Sequence, residues 1–231
     1  MIKKFIFLFL PPIILNFLKV LKKKLKKKNY LKKPEVQELG LYFDPEMAKV
    51  LDTWGERNTW IEIQHLLYDK KCKILDIACG TGKVIEILSK QNLSDIYGCD
   101  ISDFLIEKAK SRGIDKDKLK VCDATALPYL ENEFDFCYSI GSLEHFTLEG
   151  ITKFLQSSKR VTKYKGFHLI PVSKSNKDEG WIHNYQSYFN NSEEWWLDIC
   201  KNNFDNVEIM DSSWEDDISI GKWLILTKLN K

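Results

Sequence analysis

No C-x-x-C pair and no zinc-ligand spacing occur among the six cysteines, Cys72, Cys79, Cys99, Cys122, Cys137 and Cys200. A zinc module and a paired-cysteine redox motif are thereby excluded. Four of these cysteines fall within predicted strands and Cys79 just past the end of one, the pattern of buried, reduced thiols in a reducing cytoplasm. The chain also lacks an apolar run of the roughly 20 residues that a membrane-spanning helix needs; Phe5 to Leu21 is interrupted by Pro11-Pro12, Asn16 and Lys19. A small-residue cleavage site is missing there too, and lysines continue straight after it, which argues against a secretory signal. No internal repeat is visible. Acid is absent from residues 1–34, which carry eleven lysines. Of the 35 basic residues in the chain, the remaining 24 face 33 acids, a net of −9. An acidic body is ill suited to nucleic acid, whose phosphates need a basic surface.

What is present is ample for one α/β domain plus an appendage, at 231 residues and 44% hydrophobic content. The appendage is "MIKKFIFLFLPPIILNFLKVLKKKLKKK". Pro11-Pro12 suits a helix start, and Ile14, Phe17, Leu18, Leu21 and Leu25 then recur at helical spacing with lysines on the other faces. Residues 1–34 are therefore expected to form a basic amphipathic arm on the inner face of the cytoplasmic membrane, leaving the protein cytoplasmic and peripherally attached. The competing expectation is a helix docked on protein.

Residues 35–70 read as a helical lid, with Asp44-Pro45 opening one helix, Gly55 breaking it, and Trp60, Ile61, Ile63, Leu66 and Leu67 lining a second. From residue 71 onward strands and helices alternate. Strands are predicted near Cys72–Ile77, Asp95–Ile101, Leu119–Asp123, Phe134–Ile140, Phe167–Val172, Val207–Asp211 and Lys222–Thr227. Helices are predicted at Lys83–Lys90, Asp103–Ser111, Leu148–Lys163 and Ser192–Asn202. Such alternation implies a Rossmann-like α/β fold, a seven-stranded mostly parallel sheet with helices on both faces. Only "SSWEDDISIG" joins the last two strands, too little for a helical crossover, so the last strand is expected to run antiparallel.

The stretch "KILDIACGTGKVIEIL" places an acid, Asp76, at the mouth of a glycine turn. Gly80 and Gly82 would let backbone approach a ligand closely. A dinucleotide fingerprint needs a third glycine, where this sequence has Ile85. Asp76 would also repel a pyrophosphate, by roughly several kcal/mol at low effective dielectric. S-adenosylmethionine, which carries an ammonium and a sulfonium, would instead be attracted. Asp100 follows twenty residues beyond Gly80, where it could accept both ribose hydroxyls. Asp123 ends the third strand, suited to an adenine amino group, with the Ala124 amide donating to the ring. Each aspartate alone could merely cap the next turn; three at successive strand ends point to one ligand.

The segments "LDIACGTG", "GCDIS", "CDATALP" and "FDFCYSIGSLEHF" resemble the successive motifs of class I S-adenosylmethionine-dependent methyltransferases, over Cys72 to about Lys163. The resemblance implies that Asp76 and the Ala78–Gly82 turn hold the methionine moiety, with Ala78 standing where the family commonly has glycine. It implies that Asp100, with Ile101 beside it, takes the ribose, Asp123 and Ala124 the adenine, and backbone near Ser139 the amino-acid end. The arm resembles a "PPI"-containing lysine-rich leader of enzymes of bacterial surface-polysaccharide assembly.

Methyl transfer to oxygen or nitrogen needs alignment and a proton acceptor. His145 in "GSLEHF" is the first candidate base and His183 the second; His65 and His168 look structural. No metal is expected, because Gly141 stands where some quinone-directed relatives have the first glutamate of a Glu-x-x-Glu-His site. The segment "VSKSNKDEGWIHNYQSYFNNSEEWW" holds Trp181, His183, Tyr185, Tyr188, Trp195 and Trp196, which could stack on a sugar or simply fill core. A small polar acceptor follows, a sugar or nucleotide-sugar of a surface-glycan precursor. The alternatives are an NAD-dependent oxidoreductase and a non-catalytic cofactor-binding scaffold at the membrane.

Overall fold

The computed structural model describes residues 35–67, 72–90 and 95–228. The expected arm, residues 1–34, lies outside them. Among the described residues no helix is long and apolar enough to cross a membrane.

Seven strands form one sheet. β1 (Lys73–Ile77) is flanked by β2 (Asp95–Asp100) and then β3 (Leu119–Val121) on one side. On the other side lie β4 (Phe134–Ile140) and β5 (Thr162–Ser173). A hairpin, β6 (Trp181–His183) and β7 (Ser187–Phe189), stands apart as a second small sheet. β9 (Ser219–Thr227) adds to β5, and β8 (Asn206–Glu215) closes the edge. The first five strands are parallel, and β9 runs antiparallel to both its neighbours. The architecture is thus the expected Rossmann-like sheet with a reversed last strand. Parallel central strands must be covered on both faces, and β1 is apolar on both, with Ile74, Leu75 and Ile77 buried. β8 alternates exposed and half-buried positions, as an edge strand can.

The helices are α1 (Pro45–Leu51), α2 (Thr59–Leu66), α3 (Lys83–Ser89), α4 (Asp103–Ser111), α5 (Leu148–Val161) and α6 (Glu193–Lys201). One face of the sheet packs Ile85 and Leu88 of α3 with Ile106 and Ala109 of α4. Trp60, Ile63 and Leu67 are buried in this same cluster, so the 35–67 segment is built into the core rather than standing off it. The other face packs Ile151, Phe154 and Leu155 of α5 with Trp196 and Cys200 of α6. Asp44 caps α1 by accepting from the Glu46 amide at 2.8 Å, Pro45 taking the position that needs no donor.

Several boundaries differ from the sequence reading, among them β8, which runs on to Glu215, and β9, which starts at Ser219. α5 stops at Val161, and β5 starts at once at Thr162, not Phe167. Thr162 and Tyr164 favour extended backbone, and Thr162 pairs with Phe134 across an irregular register. β3 stops at Val121 because Asp123 turns to cap Ala124–Ala126. The β6–β7 hairpin has no counterpart in the expected strands.

Candidate functional site

β1 and β4 are neighbours whose onward connections run in opposite directions, and a cavity opens there, at the carboxyl ends of the strands, as the topology requires. It holds about 950 Å³ of atom-free space, its open mouth included. Asp76, Ala78, Gly80, Asp100, Ile101, Asp123 and Ala124 all line it, so most of the residues singled out in the sequence converge.

Asp76 is 3% exposed. Burial pushes its carboxyl well above the usual carboxylate range. The Tyr138 hydroxyl facing it offsets part of this without closing a well-formed hydrogen bond, and the Asp100 charge adds to it. Asp100 is also raised by burial, against three backbone amides that favour its charged form. Its Oδ2 accepts from the Gly80 amide at 2.9 Å and its Oδ1 from the Ser102 amide at 2.9 Å. The twenty-residue spacing therefore does a job the sequence reading missed: it fastens the glycine turn to the end of β2. Asp123 is exposed and caps its own turn, accepting from the Thr125 amide and hydroxyl, both at 2.8 Å. Ala78 sits at φ 59°, a left-handed conformation costing about 1 kcal/mol at a non-glycine residue.

Placement bears on four of these expectations. Gly82 does not line the cavity; at φ 71° it lets α3 pack on α4, where a Cβ would stand 2.8 Å from that of Ala109. Ser139 points away: Asp76 pairs with Tyr138 across the sheet, so Ser139 faces the opposite side, where its Oγ meets His168 Nδ1 at 2.8 Å. The wall at this strand end is formed by Ile140, Gly141 and Ser142 instead. His183 lines neither this cavity nor the next; its Nδ1 meets Ser187 Oγ at 3.0 Å. Trp181 and Trp196 are buried core residues, Trp195 packs against them, and Trp196 donates from Nε1 to the Pro171 carbonyl at 3.1 Å.

The 35–67 segment straps down over the mouth. Tyr42 lines the cavity, its carbonyl accepting from Ser102 Oγ at 2.6 Å and its hydroxyl from Gln186 Nε2 at 2.6 Å. Asp52 accepts from Thr81 Oγ1 and from Arg112 Nη2, each at 2.5 Å, while Arg112 Nε donates to the Thr81 carbonyl at 2.8 Å. The strap and the glycine turn are thereby one hydrogen-bonded unit.

A second cavity adjoins the first. Leu51, Trp54, Gly141 and Gln186 border both, so the two spaces meet at these residues. Its walls bring together Trp54, Tyr185, Tyr188 and Trp214, from three separate segments, with Glu144 and His145 beside them. His145 Nδ1 meets the Ser187 carbonyl at 2.8 Å; a carbonyl only accepts, so Nδ1 carries the proton and Nε2 is bare. Burial lowers the imidazole to about 4, against the Ser187 hydrogen bond and the Glu38 charge, so the ring is neutral at physiological pH. Burial raises the adjacent Glu144 carboxyl to about 8. Glu144 was not singled out as a base in the sequence, although it precedes His145 directly.

The first cavity suits S-adenosylmethionine on its own chemistry. A cation beside Asp76 would restore the buried carboxylate, whereas a diphosphate would meet two buried acids, Asp76 and Asp100. Residues 75–170 match the family model described as a methyltransferase domain. The chain is 34% identical over 120 residues to a probable tRNA methyltransferase 9B of Mus musculus, covering 51% of this chain and 26% of that protein. It spans 19 to 40% of the length of several curated relatives. A solved S-adenosylmethionine-dependent methyltransferase from Methanosarcina mazei aligns with a TM-score of 0.61 at 17% identity, over 73% of this chain and 98% of that one. The 1,6-didemethyltoxoflavin-N1-methyltransferase of Burkholderia thailandensis, solved with 1,6-didemethyltoxoflavin and S-adenosylhomocysteine, aligns at 0.62 and 14% identity, over 87% and 94%. At such identities the solved structures bear on the fold. Residues 75–170 thus match a methyltransferase domain, and the chain shares the fold of solved S-adenosylmethionine-dependent methyltransferases.

Proposed function

We propose that the protein transfers the methyl group of S-adenosylmethionine to the oxygen or nitrogen of a small polar acceptor seated in the second cavity. The observation that carries this reading is the shared border of Leu51, Trp54, Gly141 and Gln186, which leaves donor and acceptor spaces in contact. Methyl transfer is an in-line displacement whose main requirement is that alignment. Asp76 and the Gly80 backbone hold the methionine end, Asp100 the ribose, and Asp123 with Ala124 the adenine. The strap excludes water through Tyr42 and Asp52.

A small acceptor is favoured over tRNA by the net charge of −9 on the chain beyond residue 34. The lysine-rich arm supports attachment to an anionic membrane surface and, through its resemblance, an acceptor among surface-glycan precursors. The test is release of S-adenosylhomocysteine with panels of small amines, alcohols and sugars and with tRNA. Turnover confined to tRNA, or calorimetry showing no S-adenosylmethionine binding, overturns the reading. Binding without turnover on any acceptor returns the scaffold alternative, and failure of the full-length chain to sediment with anionic liposomes removes the membrane role.

A further inference from the structure

We propose that the acceptor is an amine, its ammonium held in the second cavity between the Glu144 carboxylate and the rings of Trp54, Tyr188 and Trp214. This rests on the proposed methyl transfer and names its substrate class. Glu144 is 6% exposed, lines the cavity, and its Oε2 is buried without a hydrogen-bond partner among the described residues. A buried polar atom left without a partner is costly unless a ligand satisfies it. Among the described residues the lining contains Asp216 and no lysine or arginine, so the cavity offers no fixed positive charge to a phosphate or carboxylate. Its aromatic walls are set at angles to one another, the Trp54 and Trp214 rings 6.3 Å apart at 86°, leaving ring faces toward more than one direction of approach. Aromatic faces around an acid are the chemistry that recognises ammonium ions.

The same groups account for the proton. The bound ammonium gives one proton to the Glu144 carboxylate, whose burial raises its affinity for a proton and so suits it to accept one. The freed nitrogen lone pair then attacks the methyl carbon. The N–C bond forms, and the C–S bond breaks with its pair left on sulfur as a neutral thioether; the positive charge passes to the methylated nitrogen. The bare His145 Nε2, 3.8 Å from Glu144 Oε1, orients a second N–H and has no need to ionise. Glu144 is thereby the anchor and base, in place of His145.

The experiment uses the protein saturated with S-adenosylhomocysteine and titrates choline against its uncharged isostere 3,3-dimethylbutan-1-ol by ligand-observed NMR. In parallel, glucosamine and glucose, and a set of alkyl amines and their alcohols, are compared for S-adenosylhomocysteine release. The proposal expects the ammonium ion to bind and the uncharged alcohol not to, and at least a tenfold loss of ammonium binding in Glu144→Gln with S-adenosylhomocysteine affinity unchanged. Asp216→Asn, at the cavity rim, should weaken it by a smaller factor and serves if the first variant fails to fold. Equal binding of the alcohol, no ammonium binding, or turnover only on alcohols or phosphorylated compounds overturns the amine assignment and leaves methyl transfer standing. Loss of all S-adenosylhomocysteine binding in the wild type would instead sink the methyl-transfer reading.

Discussion

Replacing Gly141 with alanine should damage turnover far more than stability. Gly141 follows β4 at φ 65°, and an added Cβ would stand 3.1 Å from two ring atoms of Trp54, the residue that borders both cavities. A left-handed alanine costs about 1 kcal/mol, and displacing Trp54 by a few tenths of an ångström brings the total to roughly 1–2 kcal/mol. For a domain of this size that lowers Tm by about 2–8 °C. The ring, however, borders both cavities, and where alignment of two substrates depends on such a wall a misplacement of about 1 Å can cost 10²-fold, so a shift of a few tenths should lower kcat about tenfold. The assay is S-adenosylhomocysteine release at saturating concentrations of both substrates, paired with thermal melts. A variant with the expected drop in Tm and a kcat within twofold of wild type would refute the idea that the donor and acceptor spaces meet at Trp54.

Asp52→Ala should loosen the strap from the glycine turn. Its ion pair with Arg112 is partly exposed, so the stability loss should stay below about 1 kcal/mol, but S-adenosylmethionine affinity should fall several-fold and residues 39–52 should exchange amide hydrogens faster. Affinity for S-adenosylmethionine should also fall with acidity. Burial raises the Asp76 pKa in the empty cavity and a bound cation lowers it, so binding is complete above the raised pKa and weakens as pH falls through it, up to tenfold per pH unit. Calorimetry in buffers of different ionisation enthalpy should register proton release on binding; none at any pH would contradict this.

The sheet was legible because its strands carry runs such as Ile74–Ile77 and Phe134–Ile140, and aspartates mark where several of those runs end. Asp76, Asp100 and Asp123 could be placed for that reason: a strand end in an open parallel sheet is already a position in space. The Ser139 backbone lies next to the wall formed by Ile140, Gly141 and Ser142, while the two-residue period of the strand sends its side chain to the other face. Gly82 was read as making room for a ligand when the room is for Ala109, and nothing in its local sequence tells those uses apart. The strap and second cavity depend on pairings such as Tyr42 with Gln186 and Trp54 with Trp214, far apart along the chain. The β6–β7 strands span three residues each, too short to show alternation, and the aromatics around them read equally well as a sugar platform. Tyr185 and Tyr188 line the second cavity, while Trp181, Trp195 and Trp196 belong to the core.

The proposed methyl transfer requires that the buried carboxylate at the end of β1 draw a cation-bearing nucleoside. Calorimetric titration of wild type and Asp76→Asn with S-adenosylmethionine, and of wild type with NADH, measures this. Wild type should bind S-adenosylmethionine and not NADH, and the variant should bind about 10–100-fold more weakly, the worth of one charged hydrogen bond. Unchanged affinity in Asp76→Asn, or a preference for NADH, would contradict it.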